Sequence, residues 1–163
     1  MTVRNLIKKV LYFVLAIGIC LLAGYVGSAY STPSIPTWYA GLQKSELTPP
    51  SWAFAPVWTA LYILMGFSLY LILQSGITKG EVFVGLLLFL LQLGLNISWS
   101  YLFFGWHMIF FAFLCIVALW TFLLCTILQV FRFSIISAAL LVPCLIWISF
   151  AAYLNYVIMV LNP

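Results

Sequence analysis

Three helical stripes hold the residues of this chain that could do chemistry, and that chemistry is stacking and hydrogen bonding rather than proton transfer. Gln92, Asn96, Trp99 and Phe103 recur at spacings of four, three and four, which sets them along one helix face. Trp147, Ala151 and Asn155 follow at intervals of four, as do Trp58, Tyr62 and Gly66. A bulky ring followed by a small residue makes a wall with a recess. Indole and phenol faces suit a flat apolar molecule, and the Asn96 amide could hydrogen-bond to it. Each stripe alone reads equally as ordinary packing. Asn96, central in its apolar run, must find a partner in either case, because an unpaired buried amide is costly.

Other chemistries lack their parts. The interiors of the apolar runs contain no Asp, Glu, Lys, Arg or His, the groups that carry protons, ions or gating charge through energised transporters and voltage sensors. His107 falls at a run end, where it reads as a polar tip at the membrane interface. Cys20, Cys115, Cys125 and Cys144 are scattered through apolar runs with no CxxC spacing. No metal site and no resident cofactor are expected. The net charge of +4 comes largely from Arg4, Lys8 and Lys9, just ahead of the first apolar run. That is the place for headgroup anchoring, so no nucleic-acid partner is expected.

The elements that position the stripes follow from composition. The chain is 67% hydrophobic and 5% charged, with a mean hydropathy of +1.26, so lipid is the natural solvent for its outer surface. Five apolar runs, at about 6–30, 53–74, 82–104, 108–131 and 134–161, approach or exceed the roughly 20 residues that cross a bilayer as a helix. The sequence predicts an all-α membrane protein, a five-transmembrane-helix bundle forming one domain over 1–163. Its connections are short except for a long loop between helices 1 and 2, so sequential helices are antiparallel neighbours. Basic residues precede the first run and Gly27-Ser28-Ala29 resembles a cleavage site, but the uninterrupted apolar length favours a retained helix. Small residues at Ala23, Gly24, Gly27 and Ser28 permit close helix packing. With the N-terminus inside and the C-terminus outside, Arg4, Lys8, Lys9, Lys79 and Arg132 lie inside and only Lys44 outside, the favoured distribution.

The stretch 38–66 is unlike a plain connector. It holds Trp38, Trp52 and Trp58, Pro49, Pro50 and Pro56, and Lys44, and it reads as a flap lying over the bundle end. Pro143 should kink the fifth helix one turn before Trp147.

In these residues the chain resembles the translocator protein family, also called tryptophan-rich sensory proteins or peripheral-type benzodiazepine receptors. The resemblance rests on Trp38-Tyr39-x-x-Leu42-x-Lys44, Thr48-Pro49-Pro50-x-Trp52-x-Phe54-x-Pro56-Val57-Trp58 and Leu61-Tyr62-x-x-Met65-Gly66. It continues through Asn96-x-x-Trp99-Ser100-x-x-Phe103-Phe104-Gly105 and Val142-Pro143 with Trp147, Ala151 and Leu154-Asn155. It implies a five-helix bundle, commonly a homodimer, with a pocket under the first loop that takes protoporphyrin and other flat hydrophobic ligands, and sterol in animal members. By matching positions, Tyr39, Pro49, Trp58, Asn96, Trp99, Phe103, Trp147 and Ala151 would line the pocket, and Trp38 and Trp52 would form its lid. Leu47 stands where many relatives have tryptophan, and Cys144 replaces a common tyrosine. No Lys or Arg follows Asn155, so the aromatic-plus-basic sterol motif is missing. The third run has no GxxxG pair to mark a dimer interface. The resemblance leads to binding of porphyrins in their regulation or transport. Two other readings stay open: light-dependent oxidative breakdown of bound porphyrin with Trp58 and Trp147 as redox partners, and a structural protein whose pocket is filled by lipid.

Overall fold

The structure, a computed structural model, describes residues 3–163 apart from the side chain of Arg4. Five helices carry the chain: α1 (Val3–Ser34), α2 (Phe54–Gln74), α3 (Gly80–Ser100), α4 (Ile109–Phe131) and α5 (Ile135–Leu161). With their terminal turns, all five are long and apolar enough to cross a membrane, and no strand occurs among the described residues. In lipid each helix satisfies its own backbone, so composition alone makes the helix the available element. This is an integral, multi-pass membrane protein. The helices close a ring in which α1 meets α2, α2 meets α5, α5 meets α4, α4 meets α3 and α3 returns to α1.

The ring is tightest where α1 crosses α2. A Cβ on Gly66 would stand 2.9 Å from the Ile17 Cα, so only glycine lets the two backbones approach this closely. Two residues on, Ser68 and Ser137 tie α2 to α5. Each hydroxyl reaches the other residue's carbonyl oxygen, at 3.0 and 2.9 Å. Met65, Leu69, Ile72, Phe89, Leu141 and Ile148 fill the interior around them, all fully or almost fully buried.

The other end of the bundle departs from the sequence expectation. The first helix does not stop near Tyr30. It runs to Ser34 and continues as a π-helical turn, Ile35–Tyr39, leaving only residues 42–50 as the irregular connection. Pro33 and Pro36 lack amide protons and read as breakers. Here the wider turn absorbs them, and the Thr37 hydroxyl donates to the Pro33 carbonyl at 2.8 Å. Lys44 then folds back to cap the helix end, its Nζ donating to the carbonyls of Tyr39 (2.8 Å), Ala40 (3.2 Å) and Leu42 (2.8 Å). A second π-helical turn, Tyr101–Gly105, ends α3. Each π turn admits an extra residue, so neighbouring side chains face inward together. Trp38 and Tyr39 thereby meet Phe103 and Phe104, with ring centroids 5.4 Å apart for Trp38–Phe103 and 5.7 Å for Tyr39–Phe104.

Candidate ligand-binding site

Aromatic residues from four helices converge between the two π turns. Trp58 stacks on Trp99 at 6.1 Å, and Trp99 on Phe103 at 5.7 Å. Tyr39 reaches Phe103 edge-on at 6.2 Å. Trp147 comes in from α5, 6.5 Å from Trp58 and 6.4 Å from Phe54. Offset and edge-to-face arrangements at these separations are the favoured ones for ring quadrupoles. The rings nearly fill the middle of the bundle. What remains there is a void of about 30 Å³ bounded by Tyr39, Phe54, Trp99, Phe103 and Ala151, room for about one water.

Hydrogen bonds fix these side chains unevenly. The Trp99 indole N–H donates to Asn155 Oδ1 at 3.0 Å, and Asn155 Nδ2 donates to the Ile109 carbonyl at 3.2 Å. Tyr62 Oη donates to Asn96 Oδ1 at 3.0 Å. That leaves Asn96 Nδ2 without a partner, and Trp147 Nε1 and Gln92 Oε1 are also buried and unpaired. Unpaired buried groups of this kind are uncommon and costly.

The larger space lies elsewhere. Beyond Gly24, which sits against the Tyr62 ring, α1 and α2 diverge and leave a cavity of about 490 Å³, within the range of small-molecule sites. Its floor is Phe54, Trp58, Tyr62, Trp99 and Phe104. Its mouth runs between Tyr25, Ser28 and Thr32 on α1 and Ser51, Ala55 and Thr59 at the start of α2. All of these but Ser28 are exposed, so the cavity opens at the surface between α1 and α2.

Of the residues singled out from sequence, Trp58 and Trp99 border the side cavity, while Tyr39, Trp99, Phe103 and Ala151 border the central void. Asn96 is buried just behind Tyr62 and lines neither space. Trp147 joins the ring cluster through Phe54 and Trp58. Pro49 is half-buried and lines neither space. The two expected lid residues separate. Trp38 belongs to the helical extension rather than to a loop, stacked on His107 with centroids 4.1 Å apart. Trp52 is 76% exposed and lines neither space, because the turn Ser51–Ala53 points it outward.

The chain matches the TspO/MBR family over residues 16–161. It belongs to that family. It is similar to the tryptophan-rich protein TspO of Chlorobaculum tepidum, 46% identical over 157 residues that make up 96% of this chain and 99% of the relative. It is 40% identical to the protein of the same name from Archaeoglobus fulgidus over 94% of this chain and 99% of that one. The translocator protein of Homo sapiens is 36% identical over 83% of this chain and 80% of its own length.

Against this TspO/MBR background, the cavity-lining residues to which the sequence reading gave no binding role are Phe54 and Phe104, quoted only within motifs, and the α1 wall of Gly24, Gly27, Ser28 and Ser31, of which the first three were expected in a close helix contact. Phe54 was findable, since it extends the Trp58–Tyr62 stripe by one turn at the same spacing of four. The α1 wall was not, because small residues look the same in a tight contact and beside a cavity.

Proposed function

We propose that the chain binds porphyrins of the protoporphyrin type, and related flat hydrophobic molecules, among the rings gathered from the α1 extension, α2, α3 and α5, in the regulation or transport of tetrapyrroles. The observation that carries this reading is the convergence of Tyr39, Trp58, Trp99, Phe103 and Trp147 beside two unpaired donors, Asn96 Nδ2 and Trp147 Nε1. Indole faces stack on a macrocycle, and the free donors meet ring or substituent acceptors. The central void is too small for a macrocycle as it stands, so binding requires the rings to part. The connection 42–50 is the element that can give, being fastened to α5 by Gln43 and Asn162, whose main-chain and amide groups pair at 3.0 and 2.9 Å. Names such as translocator protein among the relatives accord with the reading.

The test is a titration of purified protein with protoporphyrin, followed by indole fluorescence. Saturable quenching is expected, weakened about tenfold in Trp147→Phe, the equivalent of about 1.4 kcal/mol. Absence of quenching, or identical curves for the two proteins, would refute the reading. In the same reading the N-terminus lies inside and the C-terminus outside, and the protein works as a homodimer in the membrane.

The approach of Trp58 to within 6.5 Å of Trp147 favours a second reading, in which the two indoles act as redox partners to an illuminated porphyrin and it is degraded. Equal bleaching rates under light for wild type and Trp58→Phe would remove Trp58 from that role.

A further inference from the structure

Two turns past Trp58, sulfur atoms from three helices gather at one level of the closed part of the bundle. Met65 on α2, Cys144 on α5 and Cys20 on α1 are each fully buried. Met65 Sδ lies 3.9 Å from Cys144 Sγ. On α1, Ile17 backs Gly66 and Gly24 backs Tyr62, so Cys20, between them, comes level with the Met65 turn. Cys20 and Cys144 lie within electrostatic reach of each other and of the Tyr62 hydroxyl. No sequence spacing announces this group, because each sulfur arrives on a different helix.

A fourth side chain is drawn in. Gln92 of α3 is fully buried, and its Nε2 stands 3.8 Å from Met65 Sδ, a weak acceptor. Its Oε1 has no donor, which is costly at such depth. Two thiols, a thioether and a carbonyl oxygen short of positive charge make a soft donor set, and thiolate with thioether selects copper(I). Structural zinc sites take four ligands, drawn from Cys, His and carboxylates. Among the described residues no three of His, Cys, Asp and Glu gather. The spacing suits three-coordination. Metal–sulfur bonds of about 2.3 Å in a trigonal plane hold their sulfurs about 4.0 Å apart, against 3.9 Å between Met65 and Cys144. The charge suits the depth as well. One thiol releases its proton to solvent as the monovalent ion enters, so a cation replaces a proton and no net charge is left in the bilayer. The other thiol and the thioether bind uncharged, and the remaining S–H can donate to Gln92 Oε1.

We infer that Cys20, Met65 and Cys144 form a three-sulfur site for a single copper(I) ion, with the Gln92 amide beside it, and that the ion ties α1, α2 and α5 together. The site stands apart from porphyrin binding, since none of these residues belongs to the ring cluster or lines the side cavity or the central void. Neither space opens onto the sulfurs, so the ion enters only as the helices part, and uptake is slow.

The test uses the full chain carrying Cys115→Ala and Cys125→Ala, which leaves only the two site thiols. Held in nanodiscs without oxygen and with a thiol-free reductant, it is brought to equilibrium with copper(I) bicinchoninate, whose loss of colour reports transfer of the ion. Transfer should stop at a single ion per chain. X-ray absorption of the loaded protein should show three sulfur neighbours at about 2.3 Å, and loading should raise the melting temperature. Met65→Leu, which nearly conserves volume, should melt close to its parent when unloaded and hold copper at least about tenfold more weakly. Cys144→Ala should lose the ion altogether; if that variant does not fold, Met65→Leu decides the matter. Zinc(II) at equal concentration should displace none of the copper. The inference is overturned by no transfer, by transfer undiminished in Met65→Leu, by a shell of two sulfurs or of nitrogen and oxygen, or by displacement with zinc.

Discussion

Around Gly66 and Ser68 the helices touch backbone to backbone and the interior is aliphatic. Around Trp58 and Trp99 they stand apart, and rings fill part of the gap. Both ends have similar lipid outside them, so the hydrophobic effect does not separate them. Residue size does. In a bilayer, association rests on close packing and a few polar ties. Gly66, Ile17, Ser68 and Ser137 provide both at one end. At the other, large rings hold α1 and α2 apart, and polar atoms are left over. One end is close-packed, and the other keeps open space and unpaired donors.

Substitutions can break or sharpen this contrast. Gly66→Leu should have the largest effect, because its Cβ would crowd the Ile17 backbone at 2.9 Å. About 3 kcal/mol of stability should be lost, read as a lowered melting temperature in detergent, and the side cavity should change shape with it. Ser68→Ala removes one member of the reciprocal pair and should cost about 1 kcal/mol. The double variant with Ser137→Ala should cost less than twice that, since the partner is then no longer orphaned. At the open end, Trp99→Phe deletes the 3.0 Å bond to Asn155 and should cost no more than about 1 kcal/mol, while altering ligand titrations more than melting. Asn162→Ala frees the connection from α5 and should change stability by a few tenths of a kcal/mol at most. Its signature is faster amide exchange confined to residues 42–50. If Trp99→Phe melted as early as Gly66→Leu, the division between the two ends would be mistaken.

The span limits were legible in the sequence, but the contacts of the tight end were not: Gly66 reads as the recess of an aromatic stripe, and the structure packs it against the Ile17 backbone instead. Uninterrupted apolar runs gave the spans, and their limits at Gln74 and Phe131 agree with the structure, because turn residues there have no competing role. The α1 extension was hidden by Pro33 and Pro36. Proline marks a break wherever the local chain decides, but the wider π turn and the rings of Phe103 and Phe104 hold the helix together past both. The stripes of Trp58, Trp99 and Phe103 were readable because periodicity reports a shared face. Whether such a face closes on rings or on empty space depends on how far the opposite helix stands away. That distance follows from Tyr62 against Gly24, a contact between residues far apart in sequence.

The length of the first span has a consequence of its own. From Asn5 to Tyr39 it counts 35 residues, about 50 Å of helix against roughly 30 Å of hydrocarbon. Such a rod has to lean, or else stand proud of the bilayer. Trp38 and Tyr39 ride at its far tip, so a change in lipid chain length becomes a lever acting on the ring cluster. Indole emission measured across nanodiscs of increasing acyl length should shift in step with thickness, and a flat response would show that the tip does not follow the lean.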